Sequence, residues 1–188
     1  HWDDFKGVDL HGKIMVVLVN DPDFENPKST LFGGPAETYY GRWTYKYEEA
    51  ARQGAAGTLI IHETKPASYG WNTVKNSTAN AQFDIVRDDP TKEHAPFAGW
   101  IQRDVAADLF RKSGLDLEAM KEKAKQADFK PVELKGANFS LAFDVDHSQI
   151  VSHNVAGILK GAKHPEQTVI YSAHWDHLGV GLPDKKGD

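Results

Sequence analysis

The apolar positions of this chain fall into short blocks separated by long polar stretches, and the period changes from block to block. Residues 14–19, IMVVLV, form an unbroken apolar run opened by Gly12-Lys13 and closed by Asn20-Asp21-Pro22. Its length and β-branching predict a buried strand. The stretch PDFENPKSTLFGGPAETYYGRW is polar, rich in Pro, Gly and aromatic residues, and predicts an irregular excursion. Loops of such length are usually functional or covered by something. In KYEEAARQGAAGTLIIHE, Tyr47, Ala50 and Ala51 recur at helical spacing, and the pattern stops at Gly54, a C-cap residue by type. Residues 58–61 predict the next strand, and strand, helix and strand together indicate an α/β unit.

Residues 62–89 carry no sustained period and predict a second excursion, anchored by Tyr69, Trp71 and Phe83. APFAGWI predicts a short strand. RDVAADLFRKSG predicts a helix with Asp104 as N-cap, Val105, Leu109 and Phe110 on its inner face, and Gly114 as its stop. DLEAMKEKAKQ predicts a second, polar and mostly exposed helix. After Pro131 the character changes. NFSLAFDVDH alternates strictly, with Phe139, Leu141, Phe143 and Val145 against Ser140, Ala142, Asp144 and Asp146. That pattern predicts a half-buried antiparallel strand. NVAGILKG and TVIYSAH predict two more strands, separated by the turn-like GAKHPEQ. A domain boundary is expected near residues 128–138, dividing the chain into residues 1–132 and 133–188. There is no internal repeat.

The totals narrow the class little. The chain has 188 residues, 40% hydrophobic and 26% charged, an ordinary globular mixture, and its net charge of −5 offers no basic footprint for nucleic acid. No apolar run reaches the roughly 18–20 residues that span a bilayer. The absence of cysteine excludes disulfides, thiolate metal sites and a thiol nucleophile. The chain begins at His1, with nothing like a signal peptide behind it, so the expectation is a piece of a longer protein.

The densest chemistry lies in TVIYSAHWDHLG. Residues i and i+2 of an extended chain project to the same side, so His174 and Asp176 at a strand end can aim at one point. A carboxylate that accepts one ring N–H fixes the tautomer a metal-ligating imidazole needs. The alternative is that His174 caps the strand end by hydrogen bonding and Asp176 is solvated. His177 projects elsewhere and reads as a surface or packing residue. His147, His153 and His164 have no ligand spacing with one another. GAAG, residues 54–57, has helix before and strand after, the reverse of a phosphate cradle, and reads as a helix cap and tight turn. No Gly-x-Ser-x-Gly elbow is present. Asn76-Ser77-Thr78 and Asn138-Phe139-Ser140 match glycosylation acceptors, which matter only in a eukaryotic secretory pathway. Glu48-Glu49 and Asp88-Asp89 read as solvated pairs.

The order of segments resembles a known superfamily. GKIMVVLV followed by KYEEAARQGAAGTLIIHE looks like the core of a protease-associated domain. SHNVAGILKG followed by QTVIYSAHWDHLGVG looks like the opening strands of the catalytic domain of zinc aminopeptidases, relatives of glutamate carboxypeptidase II and the transferrin receptor ectodomain. HETKPASYGWNTVKNS resembles the inserted domain of bacterial members. The resemblance implies an α/β fold: a β-rich protease-associated domain with a few helices, then the incomplete start of a mixed α/β sheet. It implies a metallopeptidase holding two zinc ions, with His174 as a ligand to one and Asp176 as the catalytic-site carboxylate that orients it. The remaining ligands and the general-base glutamate of the family have no match in this chain. The implied whole enzyme removes N-terminal residues from peptide substrates. The fragment itself is expected to be inactive, to need the remainder of the catalytic domain as partner, and to bind zinc weakly. The implied compartment is periplasmic or secreted; oligomeric state and side-chain preference stay open. The excursions around Tyr39, Tyr40, Trp43, Tyr69 and Trp71 are expected either to reach the peptidase cleft or to pack the rim of a small β-domain.

A rival reading is a non-catalytic binding module of the receptor type, since the transferrin receptor uses this architecture without hydrolysis. The retained His-Trp-Asp speaks against it. A third, a protease-associated module acting alone in protein recognition, would leave the strands after residue 138 with exposed edges.

Overall fold

In the computed structural model, which describes residues 2–79 and 81–175, the first apolar run forms strand β1, Ile14–Leu18. Helix α1, Trp43–Arg52, leads to β2, Gly57–His62. Two short helices follow, α2 at Thr64–Ala67 and α3 at Trp71–Ser77. β3, Phe97–Gln102, runs directly into α4, Arg103–Lys112, and α5 spans Leu117–Lys123. The chain is therefore mixed α/β. It divides into two units, His1–Ser140 and Leu141–Asp188, and every helix and strand named here belongs to the first. No helix among the described residues is long and apolar enough to cross a membrane.

The three strands make one parallel sheet in the order β1-β2-β3. Every residue of the central strand is buried, which is why GTLIIH reads as a continuous apolar run and not an alternation. The register aligns Val17, Ile60 and Trp100 in one row and Leu18, Ile61 and Ile101 in the next. Successive rows face opposite sides of the sheet. On one side Ile61 packs with Ala106 and Phe110 of α4 and Leu117 and Met120 of α5. On the other, Met15 packs with Ala50 of α1, and Ile60 with Val19, Ala67, Tyr47 and Tyr69. Helices thus cover both faces, and burying a side chain such as Ile60 stabilises the unit by about 1.5–3 kcal/mol.

Both longer helices end the same way. Gly54 adopts φ +67°, its N–H bonds Ala51 O at 3.0 Å, and Ala55 N–H bonds Ala50 O at 2.9 Å. Gly114 repeats this at φ +77°, with Gly114 on Arg111 and Leu115 on Phe110. These are Schellman caps, in which glycine enters the left-handed region without a Cβ penalty. The GAAG segment is the cap and turn its sequence implied.

The end of β1 forms a corner. Asn20 sits at φ 73°, its N–H bonds Gly41 O at 2.7 Å, and its Nδ2 donates to Pro66 O at 3.0 Å. Asp21 is buried, and its carboxylate accepts the Thr38 N–H at 2.5 Å and the Thr38 hydroxyl at 2.9 Å. The first excursion, irregular apart from two single 3-10 turns, is tied down at this point.

Several expectations need correction. Residues 62–89 contain α2 and α3, and Phe83, expected as an anchor, is 80% exposed. Asp104 lies in the first turn of α4 and not at its cap, which is Gln102. Val105 points outward, and Ala106 with Phe110 forms the buried face instead. α5 is less exposed than its polar composition suggests, because Leu117 and Met120 are both core residues. The stretches 139–145, 155–159 and 169–171 form no strand among the described residues, and Phe143, Val155 and Tyr171 are all exposed. Alternation marks which side chains share a face, but a strand exists only where another backbone accepts its hydrogen bonds.

Candidate functional site

Parallel strands end at a common edge, so the carboxyl edge of the sheet gathers side chains that are distant in sequence. Ligands of open α/β sheets bind at this edge. Here His62 closes β2 beside Gln102, which closes β3. An open cleft of about 510 Å³ lies there, walled by His62 and Glu63, by Lys65 in the next turn, by Trp71 of α3, and by Gln102, Arg103 and Asp104 at the β3–α4 junction. Its volume falls in the range of small-molecule sites.

His62 is 5% exposed. Its Nε2 lies 2.9 Å from the Tyr69 carbonyl oxygen. A carbonyl only accepts, so Nε2 carries the proton and a neutral ring keeps its lone pair on Nδ1. The rings of Trp71, Trp100 and Tyr69 surround the imidazole at centroid distances of 5.5, 6.1 and 6.2 Å. Two of these, Tyr69 and Trp71, are excursion aromatics singled out in the sequence; the structure brings them together around a histidine the sequence did not single out.

Glu63 holds the floor together. Its carboxylate lies 2.8 Å from Lys121 Nζ of α5 and 3.3 Å from Arg103 Nε at the start of α4. Arg103 also reaches Glu118 at 2.5 Å. Partial burial pushes the Glu118 carboxyl up, but the hydrogen bond from Arg103 and the charges of Lys121 and Arg103 outweigh it and leave the group below its usual range. One carboxylate at the end of β2 thus couples the sheet to both helices of one layer.

The other aromatic residues form a separate surface cluster. Tyr39 and Tyr40 pack edge-on against Tyr45 at 5.7 and 5.0 Å, and Trp43 packs against Tyr47 at 5.8 Å. Burial pushes the Tyr47 phenol well up, and its hydroxyl donates to Gly99 O at 3.4 Å. Nearby, Lys46 is largely desolvated, which lowers its pKa against the opposing pull of Asp21, Asp4 and Glu37.

His174 is exposed, and Asp176 and His177 lie outside the described residues. Among the described residues no three His, Asp or Glu side chains converge as a metal site would require. His164 faces Glu166 at 3.3 Å within the turn expected there. His62, Glu63 and the 102–104 junction went unnoticed in the sequence because each looks like the mere end of an apolar run. The signal available was positional: His62-Glu63 and Gln102-Arg103 both end strands of a parallel sheet.

Compared with family models, with curated proteins and with solved structures, the chain matches none.

Proposed function

We propose that this chain is part of a two-zinc metallo-aminopeptidase, with His174 holding one metal ion and Asp176 orienting its ring, and that the polypeptide alone is inactive. The observation that supports the reading is the exposure of the apolar segments leading to His174. Val155 is 93%, Ile158 91%, Leu159 98% and Tyr171 95% exposed. A run of exposed apolar side chains is a surface that other protein can cover. A sheet completed by further protein would bury them and bring the His-x-Asp to its edge. The finer fold, a protease-associated domain followed by the start of a peptidase sheet, belongs to the same proposal, and so do peptide substrates and a periplasmic or secreted setting.

This reading assigns one ligand, His174, to the chain, where a catalytic zinc takes about three, and among the described residues no three such side chains converge. No catalytic step through the metal is therefore derived from this chain. In an assembled two-metal site the ions supply a water nucleophile and stabilise developing oxyanion charge. The part of this chain is to hold one imidazole in a fixed tautomer.

The test is hydrolysis of aminoacyl p-nitroanilides by the full product of the gene with zinc, beside His174→Ala and Asp176→Asn. We expect activity in the parent, a loss beyond about 100-fold for His174→Ala, and about 10–100-fold for Asp176→Asn. The present polypeptide alone should turn over nothing and bind zinc more weakly than micromolar by calorimetry. Unchanged activity in His174→Ala sinks the assignment. A folded but inactive full product favours the receptor-like reading instead.

A further inference from the structure

The cations around the β2–β3 cleft are already committed. Lys65 Nζ lies 3.0 Å from Glu25, Lys121 pairs with Glu63 at 2.8 Å, and Arg103 pairs with Glu118 at 2.5 Å and with Glu63 at 3.3 Å. Four carboxylates, Glu25, Glu63, Asp104 and Glu118, stand against these three cations.

The charge left unpaired at the cleft is negative. Asp104 lines the cleft, is exposed, and has no hydrogen-bond or ion-pair partner among the described residues. The Nδ1 of His62, a residue that also lines the cleft, has none either among the described residues. Trp71 presents an indole to the same space. A carboxylate, a nitrogen lone pair and an aromatic face all favour a ligand that carries positive charge and N–H donors. An anion would satisfy none of the three and would meet the unpaired Asp104 carboxylate, where four carboxylates already stand against three cations.

We propose that the cleft binds an organic cation, an ammonium or guanidinium head on a short chain. Asp104 supplies the counter-charge, His62 Nδ1 accepts one N–H, and Trp71 receives the cation over its ring. The head can come from a lysine or arginine side chain of a peptide or from a free polyamine. The site is distinct in residues and chemistry from the His174 reading and stands or falls without it.

The experiment is an NMR titration of the whole chain, following the His62 ring nitrogens and the Trp71 indole. The probes are N-acetyl-arginine amide, spermidine and, as the opposing charge, N-acetyl-glutamate. We expect saturable shifts at both residues with the cations and none with the glutamate. Tighter binding of the arginine amide identifies a peptide side chain, and tighter binding of spermidine a polyamine. Asp104→Asn should weaken the cations by about fivefold, and Trp71→Ala by a similar factor. Asp104 is exposed, so circular dichroism should show its variant folded, and Asp146→Asn should leave the titration unchanged. Absence of saturation, equal binding of the glutamate, or unaltered affinity in a folded Asp104→Asn overturns the proposal.

Discussion

Strand β2 and the segment before His174 are written in nearly the same residues and end in opposite states. Thr58-Leu59-Ile60-Ile61-His62 and Thr168-Val169-Ile170-Tyr171 both run apolar and β-branched, and each run is followed closely by a histidine. Ile60 is 0% exposed and Ile170 is 80% exposed. His62 is buried among three aromatic rings, whereas His174 is exposed. The difference lies in what surrounds each run. β2 has a hydrogen-bonded strand on either side and a helix layer over each face, and residues 168–171 pair with no strand among the described residues. Residue type proposes a strand, and neighbours decide whether it is one.

The largest effect that would break this comparison comes from paired truncations. Ile60→Ala should cost about 2–5 kcal/mol, because it opens a cavity under α1. Ile170→Ala should stay within about 0.5 kcal/mol. Urea unfolding followed by circular dichroism measures both, and similar losses would mean that the second segment is covered after all. A paired glycine test is next in size. A Cβ at Gly41 would meet Asp21 N at 2.9 Å and Asn20 C at 3.0 Å, both backbone atoms, whereas one at Gly157 meets nothing within 4 Å. Gly41→Ala should therefore lose about 1–3 kcal/mol through overpacking, and Gly157→Ala should be silent in the same assay.

The smallest effect is electrostatic. Asp84 pairs with Arg87 at 2.6 Å and with His94 at 2.7 Å. The hydrogen bond from Arg87 holds its carboxyl below the usual value of 3.8. A group with a depressed folded pKa stabilises fully above its unfolded pKa and loses that contribution as pH falls through the folded one. Asp84→Asn should thus cost about 0.5 kcal/mol or less at pH 7, since Asp84 is exposed. The difference from the parent should shrink as the medium is taken below pH 3.8. A difference that grows on acidification would reverse the sign argued here.

The local elements were readable because their signals are local. β1, α1, β2, β3 and α4 each announce themselves within about ten residues, through an apolar run or through a helical period closed by Gly54 or Gly114. α2 and α3 left no period, because helices of four and seven residues make too few turns to display one. The segments after residue 138 differ for the opposite reason: their pattern is strong, yet they form no strand among the described residues, because pairing is not written in a pattern. The candidate cleft was the least legible part. Nothing near His62 in the sequence tells that the Tyr69 carbonyl fixes its tautomer, or that Trp100, from another strand, closes over the ring. Asp104 was noticed, but as a helix cap, since an acid at the start of a helix looks the same whether it serves the backbone or faces a cleft.

Asn20 acts as a rivet through two pieces of chain, its amide N–H on Gly41 and its side chain on Pro66. Anyone grafting the 21–42 excursion from another protein must therefore bring a carbonyl acceptor to the place of Gly41. The same holds for Pro66 in any graft of the turn after β2. The two loops are interchangeable only as a matched set, and a library that diversifies one should hold the other constant.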